Sequence, residues 1–394
     1  MTVSLSATAD SATLPPSGGS PTIKISFSTT GKTKTSRRQV VLCVDTSSSM
    51  GSDDADGIRK IERAKRGARR VLDELNPDDE LAVVGFDSDP EVVVPMDSWG
   101  ALTESAAIDA IDSLVASGGT DVYEALERSW QEFGDAGPAV ARRIVLLSDG
   151  QDFTPVSKYR SLAGDIADDD ISIVAAGIGA AYNEDVMIAL AEGSNGTPKH
   201  LTAATDMESF FREVVSEAGT VVASNPELAI GTGEGFRLEE AFLTPPNPRT
   251  TDVSAGDESA TIPLPDLTAD EDIAVTVRFL APPRDPGIEY RLAEFELIAG
   301  EPLDEASVDV KYVTSEAVTA ASEGIRVAHA DAKVSAGLRD TGTSATDVRE
   351  TVDEIERAND EWDDVVTGLR RKLTEAETEE GGAITSGLTK IDPE

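Results

Sequence analysis

Two continuous apolar runs, each followed within two residues by an aspartate, constrain this chain more than any other feature. Val40-Val41-Leu42-Cys43-Val44 leads into Asp45, and Ile144-Val145-Leu146-Leu147 leads through Ser148 into Asp149. An unbroken apolar strand is buried on both faces, the condition of a strand inside a parallel sheet covered by helices. Open sheets of that kind bind ligands beyond the carboxyl ends of their strands. Both aspartates therefore fall at the edge where a site is expected.

The surrounding pattern agrees. From Arg38 to about Gly219 strand-like runs alternate with helical periods: Ile58–Leu75, Leu81–Phe86, Ser105–Val115, Val122–Phe133, Tyr159–Ala167, Ile171–Ala176, Asn183–Glu192 and Met207–Glu217. This predicts an α/β class fold, a doubly wound, Rossmann-like domain over residues 38–219. On either side the texture becomes period two, in Thr2–Ala7, Thr22–Thr29, Ile273–Phe279, Glu289–Ile298 and Ser307–Val313. Residues 1–37 and 220–313 are thus expected to form one antiparallel β-sandwich with the α/β domain inserted into it. Residues 314–378 carry two apolar stripes at helical spacing, one through Val318, Ala321, Ile325, Ala328 and Ala332, the other from Val348 to Leu373 with Asn359 among its members. A helical hairpin turning at Asp340-Thr341-Gly342-Thr343 is expected, its apolar face packed within the chain, followed by a disordered tail over 379–394.

Oxygen-bearing side chains gather in the loops behind the strands. Asp45, Ser47 and Ser49 follow the first run, Thr120 follows Gly118-Gly119, and Asp149 follows the second run. Two carboxylates and three hydroxyls suit a hard cation that keeps part of its water shell, so Mg²⁺ is the expected ion, with Mn²⁺ or Ca²⁺ as alternatives. Hydroxyls are weak donors, which leaves such an ion able to accept an Asp or Glu from a partner. The plainer alternative is that these residues only cap helices, with Thr120 capping the helix that begins near Asp121.

The spacing of these residues resembles the von Willebrand factor A family and its metal-ion-dependent adhesion site, whose pattern is DxSxS, then a Thr, then an Asp. Asp45-Thr46-Ser47-Ser48-Ser49 fills the first element, Thr120 in GGTDVYEAL the second and Asp149 in LLSDG the third. The resemblance implies direct metal contact by Ser47, Ser49 and Thr120, with Asp45 and Asp149 acting largely through water. It also implies a role in assembly or scaffolding, and an AAA+ ATPase of the MoxR or chelatase type is one partner it brings forward. Strands before DxSxS and a β-rich region after the last helix resemble prokaryotic members. Members of the integrin type place a second cation near an acidic pair, to which Asp53, Asp54 and Asp56 are the nearest counterpart here, displaced by one residue.

Composition narrows the classes further. The formal net charge is −40, from 74 acidic and 34 basic residues, which repels nucleic acid and anionic membranes. The acids are spread over all segments, a distribution that resembles proteins of extreme halophiles, where the Debye length in roughly molar salt falls to about 3 Å and self-repulsion is screened. Arg59, Lys60, Arg63, Lys65, Arg66, Arg69 and Arg70 form the densest basic stretch, expected to be a solvated face balanced by carboxylates. Cys43 is the sole cysteine, which excludes an intramolecular disulfide and reads as a buried thiol. No apolar run is long enough to span a membrane, and the first residues lack the basic start and apolar core of a secretory signal, so a cytoplasmic location is expected. His200 and His329 stand apart from any nucleophile pattern, and there is no glycine-rich nucleotide loop. The expected function is a non-enzymatic, metal-dependent protein-interaction module. A cell-surface adhesin and a Mg²⁺-dependent hydrolase are the alternatives.

Overall fold

The computed structural model describes residues 2–30, 37–134, 140–149, 152–178, 182–201, 203, 206–244, 248–269, 273–339, 343–358, 362–378 and 389–390. Asn359 and residues 340–342 of the expected turn, together with most of the expected tail, lie outside this set. The chain divides into two compact units, one comprising residues 32–225, 265–269 and 388–394, the other residues 1–31, 226–264 and 270–387.

The first unit is built on a seven-stranded sheet in the order Thr389–Lys390, Pro198–Leu201, Ile171–Ile178, Val140–Ser148, Arg37–Asp45, Glu80–Phe86, Glu91–Ser98. Neighbours run parallel except for the last pair. The antiparallel edge strand Glu91–Ser98 was not expected from the alternating pattern. Pro95 lies within it, and proline is tolerated in sheets at edges, where no ladder hydrogen bond is lost. Successive side chains of the central strand enter different layers. Val40, Leu42 and Val44 pack with residues of helices Lys60–Leu72, Glu104–Ser113 and Met207–Ala218, whereas Val41 and Cys43 pack with Val122–Trp130, Val156–Asp168 and Glu184–Gly193. This is a doubly wound α/β fold. Gly67 lets two helices of one layer close up, since a Cβ there would stand 2.7 Å from Phe211 Cδ2 and 2.8 Å from the Met207 carbonyl. Cys43 is fully buried, and burial pushes its thiol up to about 12, so it behaves as a small apolar residue.

The second unit contains two five-stranded sheets. One has the order Thr2–Ala9, Thr22–Thr30, Ile273–Leu280, Arg237–Leu243, Arg249–Thr250, and the other Ser259–Pro263, Glu227–Thr232, Glu289–Ala299, Glu301–Tyr312, Thr13–Leu14. In the first, Ile25 pairs with Val275, joining strands from near the start of the chain to strands of its second half. Three helices follow, Glu323–Arg339, Ala345–Ala358 and Asp363–Thr378. The second apolar stripe is therefore divided between two helices, where one was expected, and the first stripe begins later than Val318, which follows a short 3-10 turn. The stripes meet one another through Val334, Leu338, Val348, Val352, Trp362, Val366, Leu369 and Leu373. Ala332 and Ala336 of the first helix pack on Phe242. Small residues on that face bring the helix backbone close to the strand.

Candidate metal site

In the first unit the strand order reverses between Arg37–Asp45 and Val140–Ser148, because the chain proceeds from one toward Glu80–Phe86 and from the other toward Ile171–Ile178. Such a reversal opens a crevice at the carboxyl ends. Asp45 closes one of the two strands and Asp149 follows the other.

The structure joins four of the five expected donors in one hydrogen-bonded chain. Asp45 Oδ1 accepts from the Ser47 backbone N–H at 2.7 Å, Ser47 Oγ lies 2.9 Å from Ser49 Oγ, and Ser49 Oγ donates to Asp149 Oδ1 at 2.7 Å. Since the Ser49 proton is committed to Asp149, Ser47 is the donor to Ser49. Met50, fully buried, pins the short turn Ser48–Gly51 that presents these hydroxyls. Thr120 is placed by its loop and not by a contact of its own. Ser48 N and Oγ both donate to the Gly118 carbonyl, at 3.3 and 2.8 Å, and Ser117 N donates to the Thr46 carbonyl at 2.7 Å. Gly118 has φ +71°, and a Cβ there would stand 2.5 Å from Asp87 Oδ2, so both conformation and space call for glycine. Among the described residues the half-buried Thr120 side chain makes no hydrogen bond. It does not cap the following helix. That role belongs to Asp121, which accepts from Glu124 N at 2.9 Å.

The electrostatics of the two carboxylates differ. Asp149, 3% exposed, receives Lys60 Nζ at 2.5 Å. Asp45, fully buried, receives Ser148 Oγ at 2.5 Å and the Ser47 N–H, and among the described residues no ion pair reaches it. Burial pushes its carboxyl up to about 6, the serine hydrogen bonds oppose that, and Asp149 adds to it. A buried carboxylate without a counter-cation is an energetic deficit that a bound cation removes. The donor set fits a hard, partly hydrated ion: two carboxylates, with hydroxyls for the rest. Among the described residues no group of three or more His, Cys, Asp or Glu side chains converges as a metal site, so a cation here depends on the serine and threonine oxygens.

The sequence does not signal Lys60 as the partner of Asp149 or Ser148 as the partner of Asp45. Lys60 was visible only as part of the basic stretch. Most of the rest of that stretch is neutralised locally: Arg63 by Asp54, Asp56 and Glu208, Lys65 by Glu62, Arg66 and Arg70 by Glu208, and Arg69 by Asp112. The Arg63 guanidinium lies 2.9 Å from Asp54 and 2.7 Å from Asp56, two of the acids near which the resemblance places a second cation. His200 lies in strand Pro198–Leu201, its Nδ1 2.8 Å from Tyr182 Oη.

Residues 40–151 match the von Willebrand factor type A domain. That stretch is a domain of this class, and such domains are in general protein-interaction modules. The chain is 26% identical over 227 residues to the uncharacterised protein sll0103 of Synechocystis sp. and 25% identical over 200 residues to inter-alpha-trypsin inhibitor heavy chain H2 of Mus musculus. These matches take in 56% and 48% of this chain but only 53% and 20% of the two relatives. Among solved structures, a von Willebrand factor type A protein from Catenulispora acidiphila superposes with a TM-score of 0.71 at 18% identity, over 86% of this chain and 80% of that one. The ArnB paralog VWA2 from Sulfolobus acidocaldarius does so with a TM-score of 0.63 at 17% identity, over 98% and 96%. At these identities the likeness is one of fold. No described helix is long and apolar enough to cross a membrane.

Proposed function

We propose that this protein is a metal-dependent protein-interaction module in which Asp45, Ser47, Ser49, Thr120 and Asp149 hold a Mg²⁺ ion that captures an Asp or Glu of a partner. The observation that carries this reading is Asp45, a buried carboxylate with no ion-pair partner among the described residues, at the point of strand reversal and linked through Ser47 and Ser49 to Asp149. The bound ion would supply an electrophilic position open to a carboxylate. The chain's own residues do the rest: Ser47 and Ser49 present oxygens from a turn pinned by Met50, Gly118 brings the Thr120 loop close, and Lys60 neutralises Asp149 until the ion takes its place. Domains of this class supply the general expectation of protein binding, and an AAA+ ATPase is the partner class to look for first. The dispersed negative charge fits a cytoplasm rich in salt.

The test is a pull-down from source-organism lysate in concentrated KCl, with wild type in Mg²⁺, wild type in EDTA, and Thr120→Ala. Partners are expected in the first sample only, and their identification by mass spectrometry names the process. The same partners in all three samples would move binding to another surface and overturn the reading. Turnover of a generic phosphate ester that disappears in Asp45→Ala would replace it with a hydrolase.

A further inference from the structure

Large apolar side chains are exposed at few places. Among the described residues of the α/β unit they are Val115, 70% exposed, and Phe153, 95% exposed. Val115 lies five residues before Thr120 and Phe153 four residues after Asp149, so both stand on loops that carry candidate metal donors. Scattered exposed apolar residues are ordinary on protein surfaces. A distribution confined to the two loops of one site is not a scatter.

The backbone on either side of each is fixed, which separates these residues from chain ends that merely sample solvent. Asp152, 8% exposed, accepts from Val122 N at 2.9 Å and Tyr159 Oη at 2.5 Å through Oδ2, and from Thr154 N at 2.6 Å through Oδ1. Phe153 is therefore held outward between two anchored neighbours, and the anchor ties its loop to the helix that follows Thr120. Val115 follows Leu114, which is 6% exposed, and precedes Ser117, bound to the Thr46 carbonyl. Both side chains face solvent from segments whose neighbouring residues are hydrogen-bonded or buried.

We propose that Phe153 and Val115 are the apolar half of the docking surface, and that the partner segment carries a large aliphatic or aromatic side chain beside the Asp or Glu it offers to the metal. This rests on the metal-dependent reading above and narrows it to one partner chemistry. In a chain of net charge −40 an acidic segment gains little from the general field. The metal position supplies the attraction for its carboxylate, and apolar burial supplies contact that charge alone does not. Burying an exposed phenyl ring corresponds to roughly 10- to 100-fold in affinity.

Selection of displayed random peptides on the full chain, in Mg²⁺ and concentrated KCl, tests the proposal. The expected binders contain an acidic residue with a large apolar residue close by, lose binding in EDTA and on Thr120→Ala, and bind Phe153→Ser about 10-fold or more weakly. Phe153→Ser should retain the Mg²⁺ affinity of wild type by calorimetry, since the ring touches none of the donors. Mg²⁺-dependent acidic peptides that bind Phe153→Ser and Val115→Ser as tightly as wild type would overturn the apolar half and leave the metal reading standing. Binders indifferent to EDTA and to Thr120→Ala, or no Mg²⁺-dependent binder at all, would overturn both.

Discussion

The strand Arg37–Asp45 buries a charge at each end, and the two ends are treated differently. At its start the Arg38 guanidinium, 3% exposed, pairs with Asp79 through Nε at 3.0 Å and donates to the carbonyls of Val215 and Glu74 at 2.9 and 2.6 Å. Asp79 in turn accepts from the Arg38 and Asn76 backbone N–H groups at 2.9 and 2.7 Å. On the next strand, near the same edge, Arg143 pairs with Asp266 at 2.9 Å. At its finish Asp45 has hydroxyl and amide donors and, among the described residues, no ion-pair partner. Burial is equal at the two ends. What differs is whether an opposite charge among the described residues answers it, and the end without one is where we propose that a cation binds.

Breaking the completed end should produce the largest effect. Arg38→Met leaves Asp79 buried and unpaired, and is expected to cost about 3–5 kcal/mol in urea denaturation. Arg38→Met with Asp79→Leu should recover most of it, and failure to recover would mean that the carbonyl contacts matter more than the pair. Asp45→Asn is the counterpart at the open end. Mg²⁺ affinity is expected to fall by about 100-fold or more, while stability in EDTA stays within about 1 kcal/mol of wild type or rises, because a poorly compensated charge has been removed. A large loss of stability in EDTA would place Asp45 among the structural charges and erase the contrast.

A buried set in the other unit serves as a control, since it too is internally answered. His329, fully buried, has Nε2 3.0 Å from Glu240 Oε1 and Nδ1 3.1 Å from Thr276 Oγ1, and Lys333 reaches Glu240 Oε2 at 2.7 Å. A carboxylate only accepts, so neutral His329 donates through Nε2 and accepts from Thr276. Burial pushes the His329 pKa below its ordinary 6.5, against the opposing pull of Glu240. Burial raises Glu240, but its bonds from His329 and Lys333 prevail and hold it at about 2, below its ordinary 4.5. Both folded values are depressed, so each group contributes stability that is present above its ordinary pKa and lost as pH falls toward the folded one. The unfolding free energy should decline below pH 6.5 and again below pH 4.5, by about 2 kcal/mol for Glu240. Glu240→Gln should flatten the second decline, and an unchanged acid profile would show that the set is not coupled to folding.

The smallest expected effect sharpens the comparison most. Lys60 answers Asp149 but not Asp45, and a divalent ion near its ammonium is repelled. Lys60→Met is expected to tighten Mg²⁺ binding by about 10-fold, read by calorimetry or by Mn²⁺ electron paramagnetic resonance. Weaker binding would show that Lys60 organises Asp149 for the ion and does not compete with it.

Much of this contrast was legible in one dimension. Val40–Val44 and Ile144–Leu147 announced strands buried on both faces because no polar residue interrupts them, and Asp45 and Asp149 stood out because they follow at once. Partners distant in sequence were not legible. Asp79 lies 41 residues from Arg38 and Lys60 lies 89 residues from Asp149, and nothing local distinguishes the lysine that meets an aspartate from its neighbours on the same helix. The split of the second C-terminal stripe was hidden for a different reason: its apolar spacing stays in phase from Val348 to Leu373, and periodicity does not reveal a break that preserves phase.

The pairing of Phe27 with Ile273 also sets a timetable. The hairpin of Thr2–Ala9 and Thr22–Thr30 leaves the ribosome early, but the strand that covers its open edge is roughly 250 residues behind, on the order of 10–50 s at ordinary rates of synthesis. A lone hairpin is marginal in water and its uncovered edge invites foreign strands. During that interval every strand of the α/β sheet from Arg37–Asp45 through Pro198–Leu201 has already been made. The nascent chain thus passes through a stage with an exposed, half-built sheet, and its high density of negative charge then serves a second purpose, keeping neighbouring nascent chains apart.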